Sequence, residues 1–162
     1  MYKIKKFLFG FIIILYSCSG SFSKGVKKDL STGLTSSYNG FAVSDIYLTV
    51  DDKKLSDNKV ILGKKVELIA DGVDYYQVID GKVNPGCRII LTDKAGKEIL
   101  NLPDAFANED ALDNTKAGML RAALSTGSPM VAGETYHLNV RFFDKNKKES
   151  EIVSDVDLVM KE

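Results

Sequence analysis

From Phe41 to the C-terminus the chain consists of short apolar runs separated by turn residues. The clearest run is Thr135–Asp144, where apolar and polar side chains alternate; a polar turn and a second alternating run at residues 151–160 follow it. A period of two is typical of a strand with one buried face and one face in water. The two runs therefore predict a β-hairpin whose polar face carries His137, Asn139, Arg141, Phe143, Asp155 and Asp157.

Six further apolar runs are candidates for strands, and a seventh segment is ambiguous. Residues 115–124 are rich in Ala and Leu, which favour helix, but the segment is short and its surroundings are β, so we predict a strand. Seven or eight strands without a sustained helical period predict an all-β, antiparallel β-sandwich over residues 41–162. The six clear runs cover residues 42–50, 59–62, 65–70, 75–79, 87–93 and 98–102.

The last predicted hairpin, residues 133–159, resembles the terminal hairpin of Ig-like and fibronectin-III-like bacterial domains. The shared features are a Gly before a polar residue, an aromatic-led alternating strand, an Asp-led turn and a closing strand. The resemblance implies an Ig-like architecture and carries no functional residues with it.

The N-terminus has a different pattern. Lys3, Lys5 and Lys6 precede ten almost entirely apolar residues at 7–16, FLFGFIIILY. Ten helical residues span about 15 Å, half of the ~30 Å hydrocarbon layer, so this segment is too short for an ordinary membrane span. It has the length of the apolar region of an export signal, which predicts a signal peptide at residues 1–17.

Residues 15–18, which overlap the end of the apolar run, resemble the lipobox of bacterial lipoproteins. Leu15, Ser17 and Cys18 match that motif, whereas Tyr16 stands where a small or aliphatic residue is usual. The resemblance implies cleavage before Cys18, a thioether-linked diacylglycerol on its sulfur and usually a third acyl chain on the new amino group. Two or three chains would make membrane residence effectively permanent. The alternative is an ordinary cleaved signal followed by a Cys that is there by chance.

The same resemblance gives an expected location. Some Gram-negative groups mark surface-displayed lipoproteins with an acidic run after the Cys, and residues 19–24 lack one. The Asp that retains lipoproteins in the inner membrane is also missing. The resemblance therefore implies the outer membrane, with the periplasmic face favoured over the cell surface.

Residues 18–40 are predicted to be a lipidated N-terminus and a flexible tether, because residues 19–40 contain six Ser and four Gly. A flexible chain of this length has an r.m.s. reach of about 25 Å. A competing interpretation is that residues 29–38 are partly ordered against the domain, since apolar residues recur there every four positions.

Composition excludes some functions. Loss of Lys3, Lys5 and Lys6 with the signal would leave a chain with three more acidic than basic side chains, so no basic footprint for nucleic acid is present. If Cys18 is acylated, Cys87 has no partner for a disulfide, and it is expected to be a small buried side chain. No pattern indicates a cofactor.

Few residues stand out as candidates for chemistry. His137 is the only His and is expected to be exposed, without the further ligands that a metal site needs. The acidic residues 104–113 match no known calcium loop, and a solvated loop is the preferred interpretation. Tyr75-Tyr76 and Phe142-Phe143 each place one aromatic ring away from the core if the strand is regular, so Tyr76 and Phe143, together with His137, are the candidate contacts for a protein or glycan partner.

These observations favour a membrane-anchored envelope protein without catalytic activity, whose β-sandwich binds a protein or a glycan or has a structural role. The alternative is an enzymatic or accessory domain of the hydrolase type, with catalytic residues that converge from distant loops.

Overall fold

The structure, a computed structural model, describes residues 23–162. Apart from one short 3-10 helix at Asn114–Lys116, all its regular elements are strands, so the chain is all-β as predicted. The described residues contain thirteen strands rather than seven or eight, because several are only two or three residues long. They are β1 Lys24–Asp29, β2 Leu34–Asn39, β3 Asp45–Val50, β4 Lys53–Lys54, β5 Lys59–Ile61, β6 Lys65–Asp71, β7 Lys82–Val83, β8 Pro85–Asp93, β9 Glu98–Leu102, β10 Leu112–Asp113, β11 Met119–Ser125, β12 Thr135–Asp144 and β13 Lys147–Lys161.

The strands form two main sheets. The first sheet has the order β1-β2-β13-β12-β8-β9, and the second has the order β11-β6-β3-β4. All pairs are antiparallel except one: β5 pairs in parallel with the end of β13. A small ribbon of β7 and β10 lies beside the main sheets.

Both sheets contribute to one hydrophobic core, which makes the fold a β-sandwich. Leu48 and Leu68 come from the second sheet, Leu138 and Ile152 from the first, and none is more than 2% exposed. Full burial of a side chain of this size contributes about 1.5–3 kcal/mol relative to exposure. The alternation predicted for the C-terminal hairpin is confirmed, because β12 and β13 bury every second side chain.

The prediction of a flexible tether up to residue 40 is wrong from Lys24 onward. Strands β1 and β2 form a hairpin, and β2 pairs with β13, so this segment belongs to the first sheet. The turn between them is held by Asp29, whose carboxylate accepts hydrogen bonds from the Ser31 hydroxyl at 2.6 Å and the Thr32 hydroxyl at 3.0 Å. These bonds, those from Ser31 first, lower the pKa of Asp29 despite the opposing effect of burial. Residues 18–22 of the predicted tether lie outside the described residues.

Of two other segments predicted to be strands, one is a strand for most of its length and the other is a loop. The ambiguous residues 115–124 are a strand for most of their length, β11, after the 3-10 helix. Residues 75–79 are not a strand: they form an irregular loop in which Tyr75 has a φ of 72°. We name residues 75–79 the tyrosine loop.

Strand register places several turns at one end of the sandwich. Lys24 lies opposite Asn39, Asn39 opposite Glu151, and Asp144 opposite both Lys147 and Pro85. We call the end that contains these residues the proximal end, because the described chain starts there. The distal end contains the turn at residues 30–33 and the loops at residues 51–58 and 126–134.

Candidate functional site

Tyr76 is not the exposed aromatic residue that the sequence pattern predicted. It is 8% exposed, its ring packs edge-on against Phe41 with a centroid distance of 4.9 Å, and its hydroxyl donates to the Ala117 carbonyl at 3.0 Å. The positive φ of Tyr75 turns the chain at this point, so regular alternation does not apply. Tyr75, at 45% exposed, is the outward residue of the pair. Burial, followed by the negative charges of Asp144 and Asp74, raises the pKa of Tyr76.

His137 lies on the outer face of the first sheet, as predicted, between two carboxylates. Its Nδ1 is 2.9 Å from Asp157 Oδ1 and its Nε2 is 3.2 Å from Asp155 Oδ1. The Asp157 bond is the largest cause of a raised His137 pKa, burial opposes it, and Asp155 adds to the rise. Both ring nitrogens therefore have hydrogen-bond partners among the described residues.

Phe143 shares that outer face but does not form a site with His137. Its ring lies against Gly86, where an added Cβ would come within 2.5 Å of the ring, and the Arg141 guanidinium sits 5.0 Å from the ring centroid. Arg141 also pairs with Glu151 at 2.6 Å. Phe143 and His137 are six residues apart on one strand, which corresponds to about 20 Å.

The structure describes only one of the two cysteines. Cys18, the candidate lipidation residue, lies outside the described residues. Cys87 is fully buried in β8, as expected. Burial, with smaller contributions from Asp104 and Glu109, raises the pKa of its thiol to about 12. A thiol with this pKa has little thiolate at neutral pH and is a poor nucleophile.

Two of the carboxylates in residues 104–113, those of Asp104 and Asp113, are engaged by neighbouring groups. Asp104 accepts the backbone N–H groups of Cys87 at 3.0 Å and Phe106 at 2.9 Å, and it pairs with Lys145 at 2.8 Å. Asp113 pairs with Lys82 and with Lys116. Within residues 23–162, no group of three or more His, Cys, Asp or Glu side chains is arranged to hold a metal ion.

A shallow groove on the outer face of the second sheet is the strongest candidate for a binding site. Its centre is a row of three side chains on adjacent strands, since register places Tyr47 of β3 opposite Ile69 of β6 and Ile69 opposite Arg121 of β11. The groove has a volume of about 530 Å³, which is within the range of small-ligand sites. Ile69 is only 2% exposed although it points away from the core, so it forms an apolar floor.

Charged side chains surround this floor. Lys54 lies over the Tyr47 ring at 4.8 Å from its centroid and pairs with Asp45 at 3.2 Å. Arg121 pairs with Glu67 at 3.3 Å. The remaining carboxylates on the groove wall are Asp52 and Asp71.

Glu67 holds two cations at the inner edge of the groove. Besides Arg121, it pairs with Lys65 at 2.8 Å, and its side chain is only 12% exposed. The Lys65 hydrogen bond is the largest cause of a lowered Glu67 pKa, with burial opposing and Arg121 adding to it. The Arg121 guanidinium, which lines the groove, is thus held by Glu67 and also donates to the Met119 sulfur at 3.1 Å.

Thr49 adds a buried polar atom to the same surface. The residue is 4% exposed and lines the groove, and its hydroxyl has no hydrogen-bond partner among the described residues. Buried hydroxyls are nearly always paired, so an unpaired one beside a groove indicates a place where a ligand or water completes the bonding. The arrangement as a whole offers donors and acceptors around an apolar centre.

The hydrophobic pattern of the sequence does not reveal this groove, although one signal is present. In the run at residues 42–50, Ile46, Leu48 and Val50 alternate on one face of the predicted strand, and Tyr47 falls on the other face. An outward aromatic on a well-defined strand is the kind of residue sought as a contact. Its neighbours Ile69 and Arg121 come from distant parts of the chain, and only strand pairing brings them together.

Comparison with known proteins does not assign a family. No protein-family model matches the chain, and no curated protein matches it significantly. Among solved structures, the C-terminal domain of Wzt is similar to this chain with 9% sequence identity and a TM-score of 0.49, covering 88% of this chain and 79% of that one. Within the part of the chain that the structure describes, no helix is long and apolar enough to span a membrane.

Proposed function

We propose that the protein is a bacterial envelope lipoprotein, anchored through Cys18, whose β-sandwich binds an envelope glycan in the groove on the second sheet. The anchor rests on the sequence pattern of residues 1–18. The observation that supports the ligand class is the row of Tyr47, Ile69 and Arg121, with carboxylates and a buried unpaired hydroxyl beside it.

The chemistry of the groove suits a sugar chain. Carboxylates accept hydrogen bonds from the hydroxyl groups of a sugar, and a guanidinium donates hydrogen bonds to them. Such charge-assisted hydrogen bonds are about twice as strong as hydrogen bonds between neutral groups. The apolar floor formed by Ile69, with the edge of Tyr47, offers contact to the C–H face of a sugar ring. The groove is shallow and open, which fits one segment of a long polymer. In this proposal the protein binds and does not catalyse.

A retention assay tests the proposal. The probes are isolated peptidoglycan sacculi and an array of bacterial polysaccharides, and the protein is the full chain extracted from membranes. Arg121→Ala should weaken retention on the bound glycan at least about tenfold, because it removes charge-assisted hydrogen bonds worth about 1.5–3 kcal/mol.

Arg141→Ala is the matched control. Arg141 is also an outward arginine paired with a glutamate, but it lies on the opposite sheet, so this variant should bind like the unsubstituted chain. Equal retention of the two variants, or no retention of the unsubstituted chain on any of these glycans, would contradict the proposal.

A further inference from the structure

The described chain begins at the proximal end of the sandwich. Ser23 is fixed there, because its carbonyl accepts a hydrogen bond from Gly40 N–H at 2.7 Å. Five residues of extended chain reach at most about 18 Å, so a lipid on Cys18 would keep Ser23 within that distance of the bilayer surface. The proximal end is then the end that faces the membrane.

The tyrosine loop lies at this same end and has apolar side chains on its outside. Tyr75, Val78 and Ile79 are 45%, 42% and 51% exposed, three outward apolar side chains within five residues. The loop is tied to the turn of the β12–β13 hairpin by a hydrogen bond from Gln77 N–H to Asp144 Oδ2 at 2.7 Å.

The loop is held in one conformation. Tyr76 holds the loop on the core through its ring contact with Phe41 and the hydrogen bond from its hydroxyl to the Ala117 carbonyl. The backbone N–H of Tyr75 donates to the Asp74 carboxylate at 2.7 Å, which supports a φ of 72° at a bulky residue. Strain of this kind persists only where the surroundings over-determine it, and it clusters at functional sites.

We propose that Tyr75, Val78 and Ile79 dip into the lipid layer that carries the Cys18 acyl chains, so that the loop is a second point of membrane contact. This inference rests on the acylation of Cys18 in the proposed function. Lipid is the favoured occupant, because the short connection from Cys18 to Ser23 brings this end to the bilayer. The carboxylates of Asp74 and Asp144 accept hydrogen bonds from backbone N–H groups of the loop.

The absence of Trp from the sequence makes a direct test possible. Full-length chain with Ile79→Trp, expressed with its signal, is reconstituted in phosphatidylcholine vesicles with and without brominated acyl chains. Insertion to the depth of an interfacial segment should lower the Trp emission at least about twofold in the brominated vesicles.

Ile61→Trp is the matched control, because Ile61 is also 51% exposed but lies near the distal end, beside the end of β13. Its emission should be the same in both kinds of vesicle. Tyr75→Trp serves as a second loop reporter if Ile79→Trp does not fold, as judged from its urea unfolding.

The outcomes separate the two proposals. Acylated Cys18, shown by mass spectrometry, with loop reporters that are not quenched overturns this inference alone. An unacylated Cys18 overturns the anchor and this inference together. Blue-shifted emission from the loop without quenching by bromine would place the reporter against protein, such as a second copy of this chain, in place of lipid and would also overturn it.

Discussion

Asp144 Oδ2 accepts a hydrogen bond from the backbone N–H of Gln77 at 2.7 Å, which joins the hairpin turn after β12 to the tyrosine loop. The other carboxylate oxygen accepts Asn146 N–H at 2.9 Å. Asp144 is 1% exposed, and both bonds are partly buried. One acidic side chain thus fixes two connections at the proximal end.

Asp144→Ala should lower the free energy of unfolding by about 2–4 kcal/mol, because it removes the charged acceptor of two partly buried backbone hydrogen bonds. Urea unfolding followed by circular dichroism measures the change. Asp144→Asn keeps one acceptor oxygen and should lose clearly less. A value for Asp144→Ala within about 0.5 kcal/mol of the unsubstituted chain would show that the turn does not depend on these bonds.

The inclusion of β2 in the first sheet can be tested at a buried polar pair. Ser36 of β2 and Ser154 of β13 are opposite in register, their hydroxyls are 2.8 Å apart, and neither residue is more than 1% exposed. Ser36→Ala should lower the free energy of unfolding by about 1–2 kcal/mol, because it leaves the buried Ser154 hydroxyl without its hydrogen-bond partner. The double Ala variant should lose less stability than the sum of the two single variants. Ser37→Ala, on the partly exposed side of β2, is the control. If Ser36→Ala and Ser37→Ala have equal, negligible effects, residues 24–39 do not pack as described.

His137 gives the protein a pH dependence of stability above the acid range. Its pKa is raised in the folded state, chiefly by the Asp157 hydrogen bond, so its contribution is fully present below the unfolded pKa of about 6.5 and is lost as pH rises through the higher folded pKa. His137→Gln should therefore flatten the fall in stability between about pH 6 and 8. The effect should stay below about 1 kcal/mol, because the side chain is 47% exposed and solvent screens it.

Urea midpoints at several pH values check this. Asp157→Asn should reduce the same pH dependence by removing the main partner. The assignment fails if His137→Gln and the unsubstituted chain lose stability in parallel across this pH range.

Thiol reactivity reports on both cysteines. Because burial raises the pKa of Cys87 to about 12, the native protein should not react with a maleimide at neutral pH. In urea the membrane-extracted chain should expose one thiol, that of Cys87, since the Cys18 sulfur is occupied by lipid in the proposed form. The Cys87→Ala variant should then show none. Reaction of two thiols in urea would contradict the acylation, and fast reaction in the native state would contradict the burial of Cys87.

Sequence pattern predicted the C-terminal half of the first sheet well, because β12 and β13 alternate over ten residues and more. It missed β2 because that strand buries Ser36, which pairs with Ser154, where the pattern looks for an apolar side chain. It misplaced Tyr76 because one positive φ, at Tyr75, shifted the phase of the alternation. Local dihedral angles and buried polar pairs leave little trace in a hydrophobic pattern.

The groove was beyond the sequence for a different reason. Tyr47, Ile69 and Arg121 become neighbours only when β3, β6 and β11 pair in a specific register. The outward position of Tyr47 followed from its strand, but nothing in the sequence indicated which residues would flank it. Ile69 could not be recognised as part of a groove, because a buried apolar residue on an outer face has the same sequence pattern as a core residue.

The proposed membrane anchor depends on the processing of residues 1–18, and mass spectrometry of the N-terminal peptide of the membrane-extracted protein tests it most directly. The predicted result is a peptide that starts at Cys18 and carries a diacylglycerol on its sulfur. A peptide with a free thiol at Cys18, or one that still contains residues 1–17, would contradict the account.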